Sequence, residues 1–406
     1  MKKKTIQIFP NIKFLKNLQI DTIKAGIKSK LKEDIAIVSF KELANVASVF
    51  TKSKTCAPNI TWLKKIKNNE KAKALYINSG NANAYTGKNG YQNVIKIAKH
   101  LADIFDCKKE NIIISSTGVI GEQLPIEKIL NSFSKLSNKK SQNTQDWLSL
   151  AKAIMTTDTF PKGYYREINI NNKKYNIVGI CKGSGMIAPN MATMLAFIFT
   201  DLQIPSKQLK VSLKDAVEES FNKITVDGDT STNDMVSIFS LKKNKEKTFL
   251  DKKNLKKFQE NLTDVAIQLA KKIVLDGEGA KKLIEIEVFG AKNNLQAKNV
   301  ALSVANSLLV KTAIAGEDAN WGRIIMAIGK STAIIDQKKI SIQIGGFLII
   351  DKGEINKNYI EKKLSKYLKS NEITINIDLC LGPGNSKVWT CDLTKKYIEI
   401  NADYRS

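Results

Sequence analysis

The chain has 406 residues, of which 43% are hydrophobic and 26% charged, with 22 glycines and 7 prolines, and this composition excludes collagen-like and wholly disordered proteins. His100 is the single histidine, which excludes His-based catalytic triads and zinc sites that need a second imidazole. The net charge is +26, but only three of the 65 cationic residues are arginine and the lysines are scattered, so a solvated surface is favoured over a nucleic-acid-binding one.

The N-terminal segment and the cysteines indicate a compartment. The apolar stretch after Met1 is interrupted by Gln7 and Pro10, so no signal peptide is predicted. The longest nearly apolar segment, 186–199, contains Pro189 and is shorter than the roughly 20 residues that a membrane helix needs. The five cysteines form no C-x-x-C pair, so neither a disulfide framework nor a zinc knuckle is expected. We therefore expect a soluble cytoplasmic protein without a metal site.

Helices and strands alternate in the first half of the chain. Apolar residues at helical spacing over 94–105, Ile104 among them, predict a helix whose opposite, lysine-bearing face carries an exposed and inert His100. A short buried strand is predicted at 112–114, ending in a turn at Thr117 and Gly118. The polar stretch 134–145 then predicts a surface connection ahead of a helix around 147–155.

The second half continues this alternation. Short buried strands are predicted at 177–180 and 347–350, and an amphipathic helix at 255–269. Isoleucines alternate with polar residues over 373–379, which is the period of a half-buried strand. The sequence therefore predicts an α+β fold with mixed sheets and helices outside them.

The central segment at 183–188 admits two interpretations. Its letters GSGMIA match the dinucleotide-binding pattern G-x-G-x-x-A and follow a predicted strand. A helix opening there would however carry Pro189 in its second turn, where proline breaks the hydrogen-bond ladder. A P-loop is also disfavoured: Gly329-Lys330-Ser331 resembles its end, but the required earlier glycine falls at Ile324.

The second interpretation is that these glycines turn the backbone toward a reactive Thr193. A threonine hydroxyl is a poor nucleophile alone, but cleavage of the preceding peptide bond frees an α-amine that can act as its base. Such an amine titrates at about 7.7 to 8.0, close to working pH. From spacing alone, Thr193 is better explained as the start of a buried strand or helix, since most threonines are structural.

Several long segments resemble the ornithine acetyltransferase (ArgJ) family, the glutamate N-acetyltransferases of arginine biosynthesis. The resemblance extends nearly from end to end, and the segments occur in family order. They are KGSGMIAPNMATML at 182–195, SGNANA at 79–84, STGVIG at 116–121, MTTDT at 155–159, DGDTSTND at 227–234, GEDANWGR at 316–323 and NADYR at 401–405. The resemblance implies an N-terminal-nucleophile-type layered sandwich like that of DmpA and ArgJ.

The resemblance also implies a mechanism. The precursor would cut itself between Ala192 and Thr193, giving an N-terminal chain, 1–192, and a C-terminal chain, 193–406. Thr193 would take the acetyl group of N-acetylornithine as an ester and pass it to glutamate, which predicts ping-pong kinetics. The Thr117 hydroxyl and the Gly118 amide would form the oxyanion hole, at the tip of the predicted strand 112–114.

Substrate contacts are implied for a further set of residues. Lys182 offers a positive charge for a carboxylate, and Glu278 can pair with the side-chain ammonium of ornithine. The pair Thr156 and Thr157 also matches a substrate-contacting position, with no choice between them. The other implied contacts are the nucleophile itself and two C-terminal residues, namely Thr193, Asn401 and Ser406.

Other features are implied by the same resemblance. No cofactor or metal is expected, although acetyl-CoA could serve as a co-substrate. The assembly expected is a heterotetramer of two N-terminal and two C-terminal chains. A structural polar network, outside the mechanism, is expected of Glu317, Asp318, Asn320 and Arg323.

Two other functions stay open. A related N-terminal-nucleophile amidohydrolase or aminopeptidase would use water in place of glutamate as the acceptor. A basic nucleic-acid-binding protein is the remote alternative, and tight binding at physiological salt would distinguish it.

Overall fold

A computed structural model describes residues 9–12, 15–29, 31–66, 70–136, 144–188, 194–242 and 250–403. The chain forms two compact units, each built from several stretches of sequence. The first takes its described residues from Met1–Gly183, Asn190–Asn222 and Asp229–Lys272. The second takes them from Ser184–Pro189, Lys223–Gly228 and Ile273–Ser406.

The first unit is organised around a mixed eight-stranded sheet. Seven strands follow the order β4-β3-β2-β8-β7-β6-β5, and β1 pairs with the first half of β2. The β3–β4 and β7–β8 pairs are parallel and the others antiparallel. Here the strands are β1 Leu18–Ile23, β2 Ile35–Phe50, β3 Lys71–Asn81, β4 Ile112–Val119, β5 Lys162–Ile170, β6 Lys173–Lys182, β7 Leu195–Thr200 and β8 Met235–Ser240.

Helices cover this sheet because each has one apolar face. Among the contacts, α1 and α2 pack on β4, α4 on β1, and α5 on β2 and β8. The α6 helix lies close over β6, because Gly179 has no side chain to block Leu269. The helices are α1 Pro58–Lys65, α2 Gly87–Ile104, α3 Ile126–Ser132, α4 Thr144–Ala153, α5 Ser206–Glu218 and α6 Lys252–Leu275, the last ending in the second unit.

Aromatic rings fill the centre of the first unit's core. Phe199 of β7 stacks on Phe239 of β8 with ring centroids 5.3 Å apart, and Trp147 of α4 meets Phe199 edge-on at 5.4 Å. Phe40 of β2 completes the group, 5.2 Å from Phe239. All four side chains are buried, so this cluster fixes β7 between its neighbours.

The second unit has its own mixed sheet of six strands, in the order β12-β11-β10-β13-β9-β14. Only the β13–β9 pair is parallel. The strands are β9 Leu283–Ala291, β10 Ser341–Ile344, β11 Phe347–Asp351, β12 Glu354–Ile355, β13 Glu372–Asp378 and β14 Gly384–Cys391. The helices are α7 Asn294–Ala305, α8 Leu308–Ala315, α9 Gly322–Gly329, α10 Glu361–Leu368 and α11 Lys395–Ala402.

The α+β prediction with mixed sheets is confirmed, and most predicted elements are present. His100 is exposed as predicted. Ile104, predicted on the apolar face, is the last residue of α2 and is 43% exposed. The helix predicted around 147–155 begins earlier, at Thr144, so its first turn lies within the predicted connection.

None of the helices in the described part of the chain combines the length and the hydropathy that crossing a bilayer requires.

Candidate active site

The predicted oxyanion donors lie at the end of two paired strands. β4 does not stop at 114 as predicted; it continues to Val119, because β3 pairs with it in parallel as far as Asn81 and Val119. Thr117 and Gly118 are therefore strand residues and not a turn beyond the strand. Gly118 has a φ of +135°, and a Cβ there would lie 2.2 Å from the carbonyl carbon of Gly80. Only glycine fits this position.

Lys182 brings the predicted Thr117 and Thr156 together. It is the last residue of β6 and is 5% exposed. Its Nζ donates to Thr156 Oγ1 at 2.7 Å and to Thr117 Oγ1 at 3.2 Å. A hydroxyl that accepts from an ammonium still has its own O–H to donate elsewhere. The Thr117 hydroxyl is thus oriented as a donor, which is what an oxyanion hole requires.

Of the two candidate threonines, Thr156 is the one whose hydroxyl contacts Lys182. Its backbone is held as well, since the Thr156 amide donates to Asp158 Oδ2 at 3.0 Å. Thr157 is half-buried in the same turn.

Asp158 is a buried anchor that sequence analysis did not single out. Its Oδ1 accepts from Lys162 Nζ at 2.6 Å and from the Gly183 amide at 2.7 Å. Burial alone raises the pKa of the carboxyl, but the Lys162 and Lys182 ammoniums and these hydrogen bonds outweigh it and hold the pKa well below its usual range. Asp158 is therefore ionised, and it fixes the backbone on both sides of the Thr156–Lys182 contact.

Lys28 is a second functional candidate that the sequence did not reveal. Its Nζ donates to the carbonyls of Ala153, at 3.5 Å, and Met155, just before Thr156. Burial is the main cause that lowers the pKa of Lys28 to about 8, and the Lys182 charge adds to it. The Asp158 and Asp34 carboxylates act in the opposite direction. The charged groups near it are Lys182, Asp158, Asp34 and Lys32.

The predicted nucleophile and the scissile bond lie outside the described residues, which exclude both Ala192 and Thr193. The next residue, Met194, is described and buried. Its amide donates to Asp234 Oδ1 at 3.0 Å, so the chain is held firmly one residue after the predicted nucleophile.

The second unit holds the other predicted contacts. Asn401 Nδ2 donates to Glu278 Oε2 at 2.8 Å, which brings these two predicted residues together. The Glu278 amide donates to the Ser184 carbonyl at 3.1 Å, and a Cβ on Gly185 would lie 2.5 Å from the Glu278 carboxyl. The glycine therefore allows the central segment to pass against Glu278. Ser406 lies outside the described residues.

The central segment does not open a helix. Residues 183–188 are irregular, and the Asp227 carboxylate accepts from the amides of Met186 and Ile187 at 2.6 and 2.8 Å. The dinucleotide interpretation requires a helix N-terminus here, so this arrangement contradicts it.

Glu317 and Arg323 make structural contacts in the same unit. Glu317 pairs with Lys282 at 3.2 Å, and Arg323 Nη1 donates to the Leu309 carbonyl at 2.9 Å. Within the described residues, no three His, Cys, Asp or Glu side chains gather as metal ligands would.

Comparison with known proteins places the chain among close relatives. A family model described as the ArgJ family matches residues 19–406. A protein of Gluconobacter oxydans (strain 621H), named arginine biosynthesis bifunctional protein ArgJ, is 43% identical over 399 residues, covering 98% of this chain and 94% of that protein. A protein of the same name from Bartonella henselae is 44% identical over 406 residues, covering 98% of each.

Two solved structures are also similar to parts of the chain. The crystal structure of arginine biosynthesis bifunctional protein ArgJ from Bacillus halodurans is 43% identical, covering 51% of this chain and 98% of that chain with a TM-score of 0.49. The ornithine acetyltransferase of Mycobacterium tuberculosis, solved with ornithine, is 25% identical, covering 43% of this chain and 91% of that chain with a TM-score of 0.35.

Proposed function

The chain belongs to the ArgJ family, and from that membership we propose that it is an arginine-biosynthesis enzyme that moves an acetyl group from N-acetylornithine to glutamate. The observation that carries the proposal is the contact of Lys182 with the hydroxyls of Thr117 and Thr156. These groups lie beside Gly118, where any side chain would collide with the backbone of Gly80. This arrangement supplies oriented donors and a cation, as acyl transfer to and from a zwitterionic amino acid requires.

Self-cleavage prepares the site: water hydrolyses the peptide bond between Ala192 and Thr193, which leaves Ala192 with a carboxyl group and Thr193 with a free α-amine. That amine takes the proton of the Thr193 hydroxyl as Oγ1 attacks the acetyl carbonyl of N-acetylornithine. The oxyanion that forms is stabilised by the Thr117 hydroxyl and the Gly118 amide. Collapse of the intermediate breaks the amide bond, and the leaving amine of ornithine takes the proton back.

Transfer of the acetyl group from Thr193 to glutamate then runs the acylation chemistry in the opposite direction. The amine of glutamate attacks the acetyl ester on Thr193, N-acetylglutamate forms, and the proton returns to the Thr193 oxygen. In this proposal Lys182 binds a substrate carboxylate while its contacts keep Thr117 and Thr156 in place. Glu278, Asn401 and Ser406 are assigned substrate contacts on the family resemblance. The Glu278–Asn401 hydrogen bond leaves the carboxylate further acceptor positions for an ammonium.

The relatives' names include the word bifunctional, and we propose on that basis that acetyl-CoA is a second acetyl donor for glutamate. The proposed enzyme needs no metal or bound cofactor, works in the cytoplasm and assembles as two N-terminal and two C-terminal chains. An assay with acetyl-CoA and glutamate, without N-acetylornithine, tests the second donor directly.

The decisive variant is Thr193→Ala. We expect it to stay a single 406-residue chain and to lose acetyl transfer, because both reactions use the same hydroxyl. Thr193→Ser keeps a hydroxyl and should retain part of both activities. Denaturing electrophoresis measures cleavage, and the release of ornithine measures transfer. Near-normal turnover by Thr193→Ala would rule out this mechanism.

A hydrolase that uses water as the acceptor is the rival within the same chemistry. The two functions are separated by the ratio of N-acetylglutamate formed to ornithine released. The transferase gives a ratio close to one when glutamate is present, and the hydrolase releases ornithine and acetate without N-acetylglutamate.

A further inference from the structure

Two consecutive residues before β8 contact both the end of β4, which carries the predicted oxyanion donors, and Met194, which precedes β7 and follows the predicted nucleophile. Asn233 and Asp234 precede the first strand residue, Met235, and both are buried, at 4% and 1% exposure. Neither has a role in the proposed mechanism. Both lie in the first unit, as do the strand ends that they contact.

Asn233 holds the strand end that carries the predicted oxyanion donors. Its Nδ2 donates to the carbonyl of Ser116 at 2.9 Å and to the carbonyl of Ala82 at 2.7 Å. Ser116 immediately precedes Thr117 in β4, and Ala82 immediately follows the end of β3. One amide group thus fastens both of these strand ends.

Asp234 holds the other strand end. Its Oδ1 accepts from the Met194 amide at 3.0 Å, and its backbone carbonyl accepts from the Thr51 amide at 3.0 Å. Its Oδ2 is buried as well. Burial raises the pKa of the Asp234 carboxyl well above its usual range, against the Met194 hydrogen bond, the Lys182 charge and the Thr51 and Ser231 hydroxyls, and so favours the neutral acid.

We propose that Asn233 and Asp234 are a positioning pair that holds Met194, the residue after the predicted nucleophile, relative to the strand end that carries the predicted oxyanion donors. The inference rests on the proposed function. Consecutive Cα atoms are about 3.8 Å apart across a trans peptide, so a single peptide unit links the two anchoring side chains rigidly. Acyl transfer needs the attacking oxygen and the oxyanion donors in a fixed mutual geometry, and small displacements are costly.

The chemistry of the pair favours this role over simple structural support. Sheet ends can be joined by backbone pairing or apolar packing, whereas burying a carboxyl group is unfavourable. The Asp234 carboxyl accepts a hydrogen bond from the amide of Met194, the residue that follows Thr193 in the chain, and we infer that this contact is its function. A neutral carboxyl is also closely mimicked by an amide, which gives the proposal a conservative variant.

The test compares Asn233→Ala, Asp234→Ala and Asp234→Asn with two matched controls. Asn111→Ala removes a buried side chain whose Nδ2 donates to the Lys71 carbonyl, at the opposite end of β3 and β4. Asp201→Ala removes a buried carboxylate that accepts from the Asn176 amide, just beyond the opposite end of β7. Thermal unfolding, the cleaved fraction, kcat and KM are measured for all five.

We expect kcat of the folded Asn233→Ala and Asp234→Ala enzymes to fall by about 10- to 100-fold, because the reacting groups lose their spacing. KM should stay within about threefold, since the proposed substrate contacts are untouched. Asp234→Asn keeps an acceptor for Met194 and should retain kcat within about threefold. The controls should lose melting temperature without a comparable loss of kcat.

The outcomes separate this inference from the proposed function. Folded Asn233→Ala and Asp234→Ala enzymes with wild-type kcat would overturn it, and so would controls that lose kcat as strongly. If the alanine variants do not fold, Asp234→Asn decides: a loss of kcat above tenfold in this isosteric variant overturns the inference, because the hydrogen bond to Met194 remains. If the wild-type chain itself neither cleaves nor transfers acetyl groups, the proposed function fails, and the inference fails with it.

Discussion

The Lys182 side chain shows how one residue can serve two parts of a site. Its ammonium donates to the hydroxyls of Thr117 and Thr156, so it fixes the direction in which both O–H groups point. The same charge is available for a carboxylate. Loss of Lys182 should therefore affect the proposed oxyanion donor and the proposed substrate contact together.

Lys182→Met tests this double role. We expect kcat/KM to fall by about 10²- to 10³-fold, which is the usual cost of losing one oxyanion donor, with KM raised as well. Lys174→Met is the matched control, because Lys174 is on the same strand, β6, but is exposed and paired with Glu167. Steady-state kinetics with both substrates measures the effect. A kcat/KM equal to that of the control would contradict the assignment.

The depressed pKa of Lys28 predicts a pH dependence of stability. The folded-state pKa is about 8, below the unfolded value of about 10.4, so between these pH values the unfolded chain binds more protons than the folded one. The free energy of unfolding of the wild type should therefore rise with pH from 8 to 10.4, relative to Lys28→Met. Urea unfolding at pH 7, 8, 9 and 10 measures the difference, with the exposed Lys24→Met as control. A constant difference between wild type and Lys28→Met would refute the prediction.

Only part of this site could be predicted from the sequence. Thr117, Gly118 and Lys182 could be predicted because they lie in motifs that resemble a family. Lys28 and Asn233 act through contacts with Met155 and Ser116, which are 127 and 117 positions away along the chain. No local periodicity encodes contacts at such separations, so these two roles needed the folded structure.

At the scale of secondary structure, β4 shows that a strand can extend beyond its apolar residues. Its first residues, 112–114, are apolar and predict a strand, but the residues from Ser115 to Val119 show neither apolar alternation nor a continuous apolar run. The extension exists because β3 supplies a parallel partner as far as Asn81. By contrast, β13 could be predicted from its own alternation, because its two faces differ in burial.

Two glycines near the end of β4 give a matched pair of variants. Gly118 and Gly121 both have positive φ, at +135° and +88°, but a Cβ on Gly118 would meet the backbone of Gly80 at 2.2 Å, whereas one on Gly121 meets nothing within 4 Å. Gly121→Ala should cost about 1 kcal/mol of stability for backbone strain alone. Gly118→Ala should cost several-fold more, because the β3–β4 pairing must shift. Urea unfolding measures both, and equal losses would contradict the structure.

At the scale of the whole molecule, the predicted cleavage site does not coincide with the boundary between the two compact units. The first unit contains both β6, from before the site, and β7, from after it. Residues Ile177–Lys182 of β6 pair with Leu195–Thr200 of β7, and β7 also pairs with β8. The two predicted fragments would therefore share one sheet.

This shared sheet predicts that cleavage does not separate the fragments. We expect the 192- and 214-residue chains to co-elute in size-exclusion chromatography under native conditions and to separate only in denaturant. The reason is that dissociation would expose the strand ladder of β6 and the fully buried residues of β7. Elution of the two chains as separate folded species would contradict the prediction.

The position of β7 also limits how the protein can be produced. All six of its residues are buried, and its antiparallel neighbour, β6, comes from the other fragment. If the coding sequence were split into two genes at the cleavage site, each product made alone would leave a sheet edge uncovered, which promotes aggregation. We expect soluble material from split genes only when both products are synthesised together, which would require folding to precede the proposed scission of the natural chain.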